Sequence, residues 1–377
     1  MKLPNITSPE DQRVTFVELF FDLVFVFSVT QVVGLLHHEL NWRGVGQAIL
    51  VFWLVWWAWT QFTWALNAGD TTHPLIELGA LAATAVAFFM AVALPDAFHG
   101  RALWFAAPYV LVRVIGLTLY TLVAAADSSL QMALRRFAVL SISGLLAVLV
   151  GGVLGGAWQY LFWALAIVLD VAAAAIGGQA DGWNLHPDHF SERHGLFVII
   201  ALGETLIVAA GGVTGAAWTS ELIAAAIMAV AVTCALWWCY FIRAKPMLDH
   251  ALENATGANL AMMARDVFSL LHFPMLCGVI AFAVAIEEIV IHPAEPLPVL
   301  GRMALAIGLA LFVGGAALAI GRATGRIPIA RVVLIGILLV LLPFFADITP
   351  ALTLLIAFVI LAAIAIWEQR SASVVRH

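Results

Sequence analysis

The chain has 377 residues, 64% of them hydrophobic and only 11% charged, with a formal net charge of −6 and a mean hydropathy of +1.04. Soluble domains carry roughly 25% charged residues, so this composition excludes a protein whose surface is mostly wetted by water. The modest negative charge and the lack of any basic run exclude nucleic acid as a partner.

At the N-terminus, Met1 to Arg13 is polar and of mixed charge. The apolar run that follows is longer than a signal-peptide core and has no small-residue cleavage site, so the first helix is expected to be retained. Ser8-Pro9-Glu10-Asp11 is expected to cap it, with Ser8 as the cap and Pro9 in the first turn. A bilayer crossing takes about 20 apolar residues, and the runs are continuous rather than alternating, so they predict helices. Twelve follow in order: 14–36, 45–66, 75–94, 102–124, 134–154, 158–178, 192–211, 220–242, 262–286, 299–321, 328–345 and 350–368. The last two are parted only by the short "ADITP" turn and are the weakest pair; ten crossings result if one weak pair is re-entrant. The fold class is therefore all-α, a polytopic membrane helix bundle.

The 17 Lys and Arg residues test the count. With both termini on one side, thirteen of them, including Lys2, Arg193, Arg265, Arg331 and Arg376, fall to that side. Arg43, Arg101 and Arg302 fall to the other, and Arg113 lies inside a helix. The positive-inside rule makes the richer side, and both termini, cytoplasmic. Two fragment pairs suggest a duplication: "LVWWAWT" with "ALWWCYF", and "AVALPDAF" with "AVAIEEIV". Two six-helix halves, residues 1–180 and 181–377, are expected on that basis, as parallel repeats within one membrane domain.

Ionisable groups inside the spans are the candidate site. Arg113 stands at the midpoint of "LWFAAPYVLVRVIGLTLYTLV", where a guanidinium costs about 2.5–3.5 kcal/mol even on the lenient insertion scale. Asp170, Glu204 and Asp22 are its candidate carboxylate partners; the alternative to function is an ion pair that clamps helices. The acids not paired with Arg113 are expected to serve as proton carriers. Glu18 and Asp22 share a helix face four residues apart, although Glu18 at headgroup depth is equally read as a solvated acid. Arg193 and His194 read either as a cytoplasmic anchor or as one end of a polar stripe that reaches Glu204, with His194 able to shuttle protons. His272 lies within the membrane, where hydrogen-bonded structure is the simpler reading. Glu287, with Glu288, falls near the outer interface. The tryptophans at 53, 57 and 64 form a stripe that reads as packing, and the runs "GGVLGGAW" and "GLALFVGGAALAIG" offer small residues for close helix approach. The cysteines, Cys234, Cys239 and Cys277, lie in apolar runs at no disulfide or zinc spacing and read as small buried hydrophobes. No haem attachment motif occurs, no metal site is read, and no cofactor is expected.

"VTFVELFFDLVFVFSVTQVV" (14–33) and "RHGLFVIIALGETLIV" (193–208) resemble the opening and central signatures of the bacterial low temperature requirement A family. "WALNAGD", "ALWWCYF" and "LLHFPMLCGVIAFAVAIEE" fit the same family, so the likeness spans nearly the whole chain. One departure is visible: an Asp-Pro step is expected after helix 2, where this chain reads "GDTTHP". The resemblance implies a polytopic protein of the bacterial inner membrane and no defined chemistry.

The residues favour a proton-coupled secondary transporter or permease, without a Walker motif for ATP. A non-transporting membrane scaffold or sensor is the main alternative, and a membrane-embedded lipid-modifying enzyme a lesser one; no catalytic residue is assigned. The partners implied are the lipid bilayer and a small-molecule or ion substrate, with self-association into a homo-oligomer left open.

Overall fold

The computed structural model describes residues 6–178, 182–214, 216–344 and 347–374. Lys2 and Arg376, two of the cations counted above, lie outside these residues. Among the described residues the chain forms twelve helices and no strand beyond one isolated bridge, Thr7 to Gly69. They are α1 (Phe16–His38), α2 (Trp42–Ala68), α3 (Pro74–Ala93), α4 (Ala102–Val123), α5 (Ser128–Leu154), α6 (Gly156–Gly177), α7 (Pro187–Val213), α8 (Ser220–Glu253), α9 (Gly257–Ile291), α10 (Val299–Thr324), α11 (Ile329–Phe344) and α12 (Pro350–Val374). Eleven are long and apolar enough to cross a membrane; α11, at 16 residues, is the shorter one. The chain is thus a multi-pass membrane protein, as its composition requires.

Several helices run past the predicted hydrophobic limits. Helix α8 continues from the expected 242 to Glu253, carried by a polar turn in which Lys245 Nζ reaches Asp249 Oδ2 at 2.7 Å. Such a pair is supported at the interface by the spacing of four. Two stretches widen into π-helix, Cys239–Ala244 within α8 and Ala264–Leu270 within α9. The expected cap of α1 is corrected. Helix α1 begins at Phe16, and Glu18 turns its carboxylate back to the Thr15 backbone N–H at 2.9 Å, the reciprocal half of a T-x-x-E capping box. Ser8 instead hydrogen-bonds the Ala68 carbonyl and the His186 ring. The displaced proline of "GDTTHP" opens α3: His73 is its N-cap, its ring nitrogen accepting from the Leu75 N–H at 3.2 Å, and Pro74 occupies the first turn, where no backbone donor is missed. Helices α5 and α6 are joined through Gly155 and Gly156, at φ 64° and 55°, a left-handed pair that only glycine adopts without strain.

The described residues group into two compact units. The first comprises residues up to Leu35, Trp42–His194 and Leu252–Ser269. The second comprises Leu36–Asn41, Gly195–Ala251 and the chain from Leu270 onward. In the first unit α2 is the central element: 83% of its apolar window is buried, against 33% for α5 and α6. The outward faces of α5 and α6 carry Leu146, Val153, Leu161 and Val168, apolar side chains whose natural solvent is lipid. In the second unit the later part of α9 packs along α10, and α12 along α8. Of the cysteines, Cys239 is buried, Cys277 is partly buried and Cys234 is exposed on an apolar face, which corrects the expectation that all three are interior.

Candidate functional site

The first polar cluster is built around Arg113. Its guanidinium is fully buried between α2, α4, α5 and α6. Nη2 pairs with Asp170 Oδ1 at 3.1 Å and donates to Ser141 Oγ at 2.6 Å. Nη1 donates to Tyr109 Oη at 2.6 Å, and Nε donates to Gln61 Oε1. Trp53 and Trp57, stacked at 5.3 Å, also interact with the Asp170 carboxylate, so the tryptophan stripe of α2 is part of a polar site as well as packing. Every side of the guanidinium fork therefore meets an acceptor, the condition under which a buried charge is tolerated. Of the three carboxylates proposed for Arg113, the structure brings Asp170 to it. Tyr109 is one helical turn back from Arg113, a spacing of four that the sequence carried; Gln61 and Ser141 gave no charge or periodicity signal.

The second cluster joins α1 to α7 within the same unit. Arg193 Nη1 lies 3.4 Å from Glu18 Oε1, and Nη2 bonds Asp22 Oδ1. Asp22 Oδ1 also accepts from Trp59 Nε1 at 2.7 Å, and the guanidinium lies over the Trp59 ring at 5.5 Å. His189 Nε2 approaches Glu18 Oε1 at 3.0 Å. The anchor reading of Arg193 and the solvated reading of Glu18 are both corrected: each side chain has 0% exposure. The reason is that α1 and α7 start together, so their first turns face protein rather than headgroups. His189 was missed because it lies ahead of the predicted helix start at residue 192, where it resembled any polar flank; α7 begins at Pro187 and holds it in the first turn.

The other predicted residues separate. His194, also buried, donates from Nδ1 to the Phe190 carbonyl at 2.8 Å and sits edge-on to Trp56 and Trp59. Glu204 belongs to the second unit, where it is buried at 2% exposure. There His272 Nε2 bonds Tyr240 Oη at 2.7 Å, and Glu287 is part-exposed, 3.5 Å from His37 Nδ1. A further ion pair lies in that unit: Arg331, buried on α11, bonds Glu368 on α12 through Nε at 2.6 Å and Nη2 at 3.0 Å. Sequence reasoning had placed Arg331 only as a sidedness marker.

Beside the Arg113 cluster lies a cavity of about 50 Å³. Gln61 links the two, and Trp57, Trp64, Trp183, Tyr120 and Arg265 line the cavity walls. The Tyr120 and Thr60 hydroxyls, both in the lining, are buried with no hydrogen-bond partner among the described residues. A space of this size admits a few waters or a small ion rather than a drug-sized ligand. At the ends of the helices, outside the spans, hydrogen bonds from Ser129 hold the Asp127 carboxyl below the usual range, as expected of an N-cap, and burial lowers the imidazole of His186.

The profile described as "Bacterial low temperature requirement A protein (LtrA)" matches residues 13–366. An uncharacterized protein of Rhizobium meliloti (strain 1021) is 28% identical over 378 residues, covering 95% of this chain and 90% of that one. No solved structure matches the chain. The match spans every helix but the end of α12, and the chain belongs to the bacterial low temperature requirement A (LtrA) family of membrane proteins.

Proposed function

We propose that the protein is a proton-coupled secondary transporter of the bacterial inner membrane, with both termini cytoplasmic. The observation that carries this reading is the fully buried Arg113–Asp170 pair, held by side chains from four helices beside a small cavity with unsatisfied hydroxyls. Intramembrane ionisable residues that face a bundle interior mark ion and proton pathways. Arg113 and Asp170 form the central switch of this scheme. Glu18, Asp22 and Arg193 form a second station in the same unit, with His194 next to Arg193 in the chain; Glu204, His272 and Glu287 are the candidate groups of the second unit, taken by itself.

The test is reconstitution of purified protein in liposomes, with a pH-sensitive dye inside and a panel of small organic anions and cations added outside. Proton movement above that of protein-free liposomes is expected, and its loss in Asp170→Asn with the protein still monodisperse. Absence of flux across the panel, or undiminished flux in Asp170→Asn, removes the proposal. A second reading, a non-transporting scaffold or sensor, is favoured by the small volume of the cavity beside Arg113. It predicts no flux, but loss of folded protein when either partner of the pair is changed.

A further inference from the structure

We infer that Asp22 carries a proton on Oδ2 in the folded protein, so that the α1–α7 cluster is a proton-binding site that is electrically neutral as a whole. The inference goes beyond transport and stands whether or not that proton ever crosses the membrane.

The argument begins with charge. Glu18, Asp22, Arg193 and His189 each have 0% side-chain exposure. An uncompensated charge in such a setting is costly, and proteins resolve the cost by changing protonation. Two carboxylates and one guanidinium sum to −1, so a further positive charge is required unless His189 supplies it. The position of Asn67 prevents that. Asn67 Oδ1 accepts the His186 backbone N–H at 2.9 Å, and Nδ2 donates to the His186 carbonyl at 3.0 Å, so the amide cannot be turned over. The same Nδ2 lies 3.0 Å from His189 Nδ1. That ring nitrogen must accept, which leaves the hydrogen on Nε2, donated to Glu18. His189 in this tautomer is uncharged, and the remaining proton belongs to a carboxylate.

The two acids are not equivalent. Donors converge on Glu18: Oε2 accepts from the Thr15 backbone N–H and the Thr15 hydroxyl, each at 2.9 Å, and from His189 Nε2 at 3.2 Å, while Oε1, buried without a hydrogen bond of its own, still has His189 Nε2 at 3.0 Å and the Arg193 guanidinium at 3.4 Å beside it. This is the environment of an ionised carboxylate. Asp22 receives its donors, Trp59 and Arg193, on Oδ1 alone. Its Oδ2 is buried and has no hydrogen-bond partner among the described residues. A bare anionic oxygen there is unfavourable, whereas a neutral carboxyl leaves Oδ1 in place as the acceptor. The groups facing Asp22 are Glu18 from its own helix, Trp59 from α2 and Arg193 from α7.

The test compares wild type, Asp22→Asn, Glu18→Gln and Arg193→Gln, purified in detergent, by infrared spectroscopy and thermal unfolding. The amide introduced by Asp22→Asn is neutral and has nearly the shape of the protonated carboxyl. Asp22→Asn is expected to be at least as stable as wild type and to lose one protonated-carboxyl C=O band that shifts in deuterated water. Glu18→Gln, which disturbs the ionised member, and Arg193→Gln, which strands it, are both expected to unfold at lower temperature. Three outcomes overturn the inference: an unchanged carboxyl band in Asp22→Asn, destabilisation of Asp22→Asn as large as that of Arg193→Gln, or sodium-dependent stabilisation of wild type that Asp22→Asn abolishes, which would make the bound charge a metal cation. None of these readouts involves flux, so the result is separable from the fate of the transport proposal.

Discussion

Arg113 was conspicuous in the sequence because nothing else in its helix is charged; its environment was not. Three of its four partners are uncharged, and a Gln, a Ser or a Tyr in an apolar helix raises no alarm by itself. Because the fork is fully occupied, removing either member of the ion pair strands the other. Arg113→Gln is expected to cost about 3–5 kcal/mol in thermal or denaturant unfolding. The double variant Arg113→Gln/Asp170→Asn should cost less than the sum of the two singles, a coupling that a double-mutant cycle reads directly. Outside the spans, His186 lends a pH dependence. Burial lowers its imidazole in the folded state, so the unfolded chain, at the ordinary value of about 6.5, binds the proton first. Its contribution is present above that pH and is lost as pH falls through the lowered folded value. Unfolding midpoints measured from pH 8 down to pH 5 should therefore decline, and His186→Gln should flatten part of that decline.

At the scale of elements, α11 is the informative one. Sixteen residues span about 24 Å, less than the 30 Å or so of a bilayer core. Its ends are nevertheless tied by two arginines. Arg302, at the start of α10, donates to the Pro343 carbonyl near the end of α11 at 3.2 Å, while Arg331, in its first turn, holds Glu368 on α12 and donates to the Cys239 carbonyl at 2.9 Å. The fork of Arg331 matches both carboxylate oxygens, which a lysine cannot do. Arg331→Lys is expected to cost about 1.5–3 kcal/mol and to raise protease sensitivity around α11. Helix crossings follow the same logic with smaller parts. A Cβ on Gly278 would lie 2.5 Å from the Gly308 carbonyl oxygen and 2.6 Å from the Phe312 nitrogen, both backbone atoms that cannot step aside. Gly278→Ala should therefore separate α9 from α10 locally and cost about 1–3 kcal/mol. Gly34→Ala, with nothing within 4 Å, should be neutral or stabilising by about 0.5–1 kcal/mol. Thermal unfolding of the two variants side by side checks both.

For the molecule as a whole, the number of crossings has a parity that can be read. If α11 crosses, the C-terminus returns to the side of the N-terminus; if it does not, the two ends lie on opposite sides. The bracketing of α11 by Arg302 and Arg331, one from each predicted side, argues for crossing. A C-terminal reporter active only in the cytoplasm should therefore be active, together with its N-terminal counterpart; activity at one end alone would leave eleven crossings.

Composition, hydropathy and the signatures at 14–33 and 193–208 were enough to determine the class, the membrane environment, the family and the approximate place of every helix. The reason is that lipid imposes a local rule: each crossing must satisfy its own backbone and show an apolar surface, whatever its neighbours do. The same sequence displayed Arg113, Asp22 and Asp170 as charges needing partners, left Arg193 between an anchor and a polar stripe, and even held the T-x-x-E cap that the Ser8 reading passed over. It did not decide the pairing. That Asp170 meets Arg113 while Asp22 meets Arg193, and that Asn67 fixes the ring of His189, depends on which helices lie side by side and how each is rotated. Interior packing sets those quantities between segments far apart in the chain, and no local periodicity encodes them.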